Sequence, residues 1–172
     1  CEAMRRYGVH TATSRSLIGT SPPVQAVERS AADFFGIEAA FYFNSGYSSN
    51  YIMVSALAKD ADSIIVDEAA HYSVKEASRL SGLPVKIFCH GKATDLARQV
   101  ESFNKPLVMC DRISASTVRT SPVRDYCEAL VNCENAALLV DDAHGFGVLG
   151  NHGRGVLEEF GLWQHINTDK LQ

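Results

Sequence analysis

The feature that most constrains this chain is a rhythm of short, nearly continuous apolar runs separated by segments with helical periodicity. Five runs read as strands: 39–43 (AAFYF), 63–68 (SIIVDE), 85–90 (VKIFCH), 106–111 (PLVMCD) and 136–142 (AALLVDD). They are apolar almost throughout instead of at alternate positions, which fits strands buried on both faces, as in a parallel sheet covered by helices. Pro22 and Pro23 follow Ser21, a candidate N-cap, and Val24, Val27, Ala31, Phe34 and Phe35 then share one face until Gly36 ends the helix. Val123, Tyr126, Cys127, Leu130 and Val131 repeat that pattern just after Pro122. Further helices are expected over 47–58, 72–81 and 94–103, the last capped by Thr94. The fold class is therefore α/β, with three α/β/α layers around a mostly parallel sheet.

A length of 172 residues suits one domain, taken as residues 1–172. With 46% apolar and 21% charged residues, the chain reads as a soluble globular protein, neither disordered nor membrane-spanning. A net charge of only −4 gives no basic surface for nucleic acid. The five cysteines are odd in number and lack CxxC spacing, so free thiols in a reducing compartment are expected, not disulfides or a metal site. No basic-plus-apolar signal segment opens the chain, and a cytoplasmic location is expected. Both ends read as cut, since the chain starts at CEAMRRYGVH without an initiator Met and stops at NTDKLQ.

In a sheet of this kind, ligands gather outside the carboxyl ends of the strands. The polar residues there are NSGYSSN (44–50), DEAAHYS (67–73), CDRISAS (110–116) and DDAHG (141–145). Residues 145–150 also spell GxGxxG through Gly145, Gly147 and Gly150, but four residues, Asp141 to His144, separate the strand from the glycines. A loop then follows where a dinucleotide site needs a helix. A P-loop ATPase is excluded because no GxxxxGK[ST] exists in the chain. A metal site at Asp141, Asp142 and His144 is thin, because neighbouring strand residues point to opposite faces and only one aspartate can share the pocket. A strand that merely ends in polar residues is the plain alternative. The NSGYSSN turn, leading into a helix, offers backbone N–H groups and the Ser45 and Ser48 hydroxyls as a cradle for one phosphoryl group. A monophosphate cradle, a single strand-end aspartate and a loop histidine on one sheet edge together point to pyridoxal 5′-phosphate (PLP), whose pyridine nitrogen needs an anionic partner.

TSRSLIGT, FNSGYSSN, DEAAHYSV and VDDAHGFGVLGNHGRG, in this order and spacing, resemble the α-oxoamine synthases of the fold type I PLP enzymes. The resemblance implies the large domain of that fold and an acyltransferase that condenses an amino acid with an acyl-CoA thioester. It implies that Gly46 and Tyr47, beside Ser45, give amides to the cofactor phosphate and that His71 stacks on the pyridine ring. It further implies that Asp141 pairs with the ring nitrogen, that His144 bonds the phenolic oxygen, and that Arg15 serves the substrate. Asp142 is then the neighbour outside the pocket, and Arg154 braces the loop. A homodimer with the site at the subunit interface is also implied.

Departures from the family pattern leave other readings open. The family's DGVFSMDG loop is DRISASTV (111–118) here, so the serine offered to the cofactor is replaced by Ala115, with Ser114 and Ser116 as neighbours that can substitute. Val24 stands for a family histidine, and GGSR becomes ATSR (12–15). The family's Schiff-base lysine is expected just past Gln172, because Lys170 lacks the Ser/Gly-Lys-Ala/Gly context. The chain is accordingly expected to be part of a large domain, short of that lysine and of a C-terminal small domain, and inactive alone. A non-catalytic homologue or partner subunit, and an aminotransferase or lyase of the same fold, are the alternatives.

Overall fold

A computed structural model describes residues 2–9, 20–115 and 117–162. The chain divides after Asn44 into two compact units. The first holds α1 (Glu2–Tyr7) and α2 (Pro22–Phe35). Ser21 occupies the N-cap position of α2 but its hydroxyl makes no capping bond, so Pro22, with φ already set for a helix, marks the start. Gly36, at φ 67°, closes the helix by donating its N–H to the Ala32 and Asp33 carbonyls.

The strand expected over 39–43 is not formed. The segment pairs with no strand among the described residues, Phe41 is 71% exposed, and the Tyr42 N–H donates to Glu28 Oε1 at 2.8 Å. An apolar run marks a segment able to extend, but a strand exists only where a neighbour takes up its backbone groups.

The second unit runs α3 (Gly46–Leu57), β1 (Ser63–Asp67), α4 (Tyr72–Leu80), β2 (Val85–Phe88), α5 (Ala93–Val100), β3 (Pro106–Asp111), α6 (Val123–Leu130), β4 (Ala137–Asp141) and α7 (Val156–Phe160). The four strands lie within the expected bounds and form one parallel sheet in the order β2-β1-β3-β4. Thr94 is not the cap of α5. The helix starts one residue earlier with Lys92 at the N-cap position, and the carboxylate of Asp95 takes the Cys89 N–H at 2.8 Å, fixing the turn before it. That helix also ends at Val100, short of the expected 103.

Two apolar cores sandwich the sheet. Ile64, Val66, Leu107 and Met109 pack with Val54 of α3 and with Val74 and Ala77 of α4. Ile65, Val108 and Cys110 pack on the other face with residues of α5, α6 and α7, including Leu96, Val123, Tyr126 and Val156. Strand β2 lies on one side of β1 and β3 on the other, so the strand order reverses between β1 and β3. The crevice outside their carboxyl ends is thus the topological switch point, where open α/β sheets bind ligands. Among the described residues, no helix is long and apolar enough to cross a membrane, and Cys89, Cys110, Cys127 and Cys133 are free thiols.

A buried polar knot pins the end of β1. Asp67 accepts the Ala69 N–H at 2.8 Å and the Tyr126 hydroxyl at 2.9 Å, and lies 3.0 Å from His90 Nδ1, while the Gly91 N–H donates to the same tyrosine oxygen at 2.8 Å. Burial and the Asp67 charge push the Tyr126 phenol up, which keeps it a donor. Tyr126→Phe strips one donor from Asp67 and leaves the Gly91 N–H unpaired, at an expected cost of about 1–3 kcal/mol. Thermal and denaturant unfolding of the variant measure that loss.

Candidate active site

Side-chain parity builds the site. On β3, Leu107 and Met109 face α3 and α4, and Asp111 is next in that row. On β4, Ala137 and Leu139 do the same, and Asp141 is next in their row. The parallel register sets Asp111 opposite Asp141, so two carboxyls emerge side by side at the switch-point end of the sheet. Asp142 leaves on the other face, where its Oδ2 accepts the Val156 N–H at 2.7 Å.

Two helix starts complete the cavity. Ser45 is the N-cap of α3 and its Oγ accepts the Ser48 N–H at 3.4 Å, so Gly46 and Tyr47 present first-turn amides ahead of the helix's own ladder. His71 occupies the N-cap position of α4. Its Nδ1 accepts the Ser73 N–H at 3.2 Å and lies 2.8 Å from Ser73 Oγ, so the neutral ring carries its hydrogen on Nε2. Its backbone N–H donates to Asp111 Oδ2 at 2.9 Å.

Asn50, one turn into α3, joins these parts. Its amide nitrogen donates to Ser73 Oγ and to Asp141 Oδ2, each at 3.0 Å, while Asp141 Oδ1 accepts the Ala143 N–H at 3.1 Å. Asp141, Asn50, Ser73 and His71 therefore form one hydrogen-bonded chain across β4, α3 and α4. The cavity has a volume of about 340 Å³, and Gly46, Tyr47, His71, Asp111, Asp141 and His144 are among the residues that line it.

Five of the expected site residues thus meet in one cavity: Gly46, Tyr47, His71, Asp141 and His144. Ser45 caps the helix beside it and is not in the lining. Arg15, Ser116 and Lys170 lie outside the described residues. Ala115 and Ser114 do not line the cavity; Ser114 is buried in its own turn, donating its N–H to the Arg119 carbonyl and accepting from the Val118 N–H. Asn50, Ser73 and Asp111 are the residues that sequence reasoning missed. For Asp111 a signal existed, because an apolar run ending in aspartate occurs at both 106–111 and 137–141.

Burial, and then the charge of Asp141, push the Asp111 carboxyl up to about 7, against the pull of the His71 N–H. The Asp142 carboxyl is also raised by burial, with the Val156 N–H opposing. The loop after Asp142 is moulded around that carboxylate. A Cβ on Gly145 would overlap Asp142 Oδ1, and one on Gly155 would overlap Oδ2. Of the three glycines in the GxGxxG spelling, Gly145 is thus set by Asp142, a Cβ on Gly150 would overlap Glu158, and Gly147 has open space around it but a positive φ of 78°.

Residues 1–167 match the aminotransferase class I and II family, and the chain belongs to it. Within that class it is similar to the 8-amino-7-oxononanoate synthase of Herminiimonas arsenicoxydans, at 35% identity over 163 residues, covering 94% of this chain and 42% of the relative. Among solved structures it is similar to Sphingomonas wittichii serine palmitoyltransferase, with a TM-score of 0.86 and 32% identity over 94% of this chain and 41% of that one. It is also similar to serine palmitoyltransferase from S. paucimobilis with a bound PLP–myriocin aldimine, with a TM-score of 0.88 and 30% identity over 96% and 42%. These relatives are of the kind that the sequence resembles, and their fold is the α/β class expected. The chain spans less than half the length of the curated relatives it matches.

Two measurements check this geometry. Gly145→Ala is expected to destabilise the protein and Asp142→Ala to relieve that clash, so a double-mutant cycle on unfolding free energy should show coupling on the order of 1–2 kcal/mol. Asp111 has a folded pKa raised above its unfolded one, so the stability it contributes is full below about 4 and is lost as pH rises through about 7. Asp111→Asn removes that loss. The variant is expected to gain on wild type by on the order of 2–4 kcal/mol between pH 4 and pH 9 in denaturant titrations.

Proposed function

We propose that this chain is the cofactor-binding domain of a PLP-dependent α-oxoamine synthase, an acyltransferase joining an amino acid to an acyl-CoA thioester. The observation that carries the reading is Asp141: a strand-end carboxylate, held by Asn50 and the Ala143 amide, in one cavity with a helix N-terminus and His71. The donor set fits PLP. Gly46 and Tyr47 offer amides at the positive end of α3 to a phosphate, and a cavity of about 340 Å³ lies within the usual range for small-molecule sites. Support also comes from the relatives, which are 8-amino-7-oxononanoate synthases and serine palmitoyltransferases.

Bound there, PLP supplies a protonated pyridine ring that acts as an electron sink. Asp141 pairs with the ring nitrogen and keeps its proton in place. His71, its Nδ1 tied to Ser73, holds a fixed ring plane to lie against the pyridine. His144, at the exposed rim, bonds the phenolic oxygen, and Ser45 sets where α3 begins. We assign Arg15 to the substrate, and a homodimer with its site at the subunit interface to the full-length enzyme. A second reading, a homologue that keeps the fold without turnover, is favoured by Ala115, which replaces the family's serine.

PLP binding to the full-length protein, followed by absorbance and fluorescence, tests the assignment. Asp141→Ala is expected to weaken binding by at least about tenfold, and Asp142→Ala by no more than about threefold. Equal effects, or no binding by wild type, reject it. PLP binding without turnover of any amino acid and acyl-CoA pair selects the second reading.

A further inference from the structure

Asn50 stands behind the wall of the cavity: it is 6% exposed and is not among the lining residues. Its place between Ser73 and Asp141 nevertheless settles which way the hydrogen-bonded chain runs. His71 Nδ1 accepts the Ser73 N–H, so the neutral ring has no proton there to give. The 2.8 Å contact between Nδ1 and Ser73 Oγ is then a hydrogen bond only with the serine hydroxyl as donor. Ser73, itself buried, has thereby used its hydroxyl proton, and toward Asn50 it can only accept. That orients the Asn50 side chain, with its amide nitrogen and not its carbonyl oxygen facing Ser73. The same nitrogen reaches Asp141 Oδ2 at 3.0 Å, while Asp141 Oδ1 takes the Ala143 N–H. Both oxygens of Asp141 therefore face donors, which suits a carboxylate and gives an acid proton no hydrogen-bonded seat among these partners.

Resting on the cofactor reading, we infer that Asn50 is a further positioning residue: its amide, directed by Ser73, holds Asp141 as an oriented acceptor for the ring nitrogen of PLP before the cofactor arrives. Flipped, the amide would set its carbonyl oxygen against Ser73 and Asp141 alike, and the aspartate would lose a donor. The titratable groups joined to Asn50 or to its partners are Asp141 on β4, Asp111 opposite it on β3, and His71 on α4.

Asn50→Asp is nearly isosteric and puts an acceptor where the donor stands. Wild type, Asn50→Asp, Asp141→Asn and the double variant are compared in PLP-free full-length protein by denaturant unfolding at pH 6 and pH 8. Asn50→Asp is expected to lower the midpoint, and more so at pH 8, where the two facing carboxyls are both charged. In the double variant a donor and an acceptor face each other again. Asp141→Asn should therefore raise the midpoint more in the Asn50→Asp background than in wild type. Additive shifts at both pH values overturn the inference, whatever PLP does.

PLP binding is then measured for wild type, Asn50→Asp and Asn50→Leu. At pH 8 both variants are expected to bind about tenfold or more weakly than wild type. At pH 6 a proton on the new carboxyl restores a donor to Asp141, so Asn50→Asp should recover most of its loss. Asn50→Leu has no proton to regain, and its loss should be the same at both pH values. Either variant within about threefold of wild type at pH 8, or no recovery by Asn50→Asp at pH 6, overturns the inference while the cofactor reading stands. No PLP binding by wild type overturns both.

Discussion

Sliding a strand past its neighbour by one residue turns every side chain to the opposite face, and in the β3–β4 pair that rule decides the site. Leu107 and Met109 are committed to the core under α3 and α4, and Val108 and Cys110 to the opposite one. With both faces of β3 buried, a slip would pull these side chains out of the cores they fill. Asp111 and Asp141 must therefore emerge together, and Asp142, adjacent to Asp141 in sequence, must leave on the far side. The cavity's pair of carboxyls is thus a product of the cores beneath it.

On this base the two faces of the sheet end do different work. The α3/α4 face collects the reactive polar groups, and Asn50 holds them in register by linking Ser73 to Asp141. The other face anchors loops. Arg112, directly after β3, grips Glu159 through Nε and Nη2 at 2.9 and 3.0 Å and donates Nη1 to the Ser121 carbonyl. The Arg112 side chain is buried while that of Glu159 is partly exposed, and removing the glutamate would leave a buried guanidinium short of its partner. Together these contacts fix α7 and the 112–121 turn relative to β3.

Four strands were legible because a short apolar run needs no partner-specific pattern to be recognised. The expected burial on both faces holds only for β1 and β3, since β2 at the sheet edge exposes Val85 and Ile87 and β4 is half-buried throughout. The segment 39–43 has the same composition and fails, because pairing is a property of what lies beside a strand, and sequence carries no direct record of it. The single-aspartate argument was legible from parity alone, and the opposite orientations of Asp141 and Asp142 follow it. Asn50 was not, since an asparagine at the end of a turn-like stretch reads as local chemistry, and its acceptor lies 91 positions away. Asp111 was overlooked for a related reason: an aspartate closing a strand is ordinary until register sets a second one beside it.

The glycines after β4 gain a different meaning from the Asp142 carboxylate they enclose. At Gly145 and Gly155 the side chain is missing because an oxygen of Asp142 fills its place. Glycine there is a statement about occupied volume, not about hinge motion. The segment is best compared to a cast taken around one carboxylate, tight where a glycine-rich stretch is usually assumed to be loose. Only Gly145 of the three fingerprint glycines belongs to that cast, so the letters GxGxxG gather glycines that are needed for separate reasons.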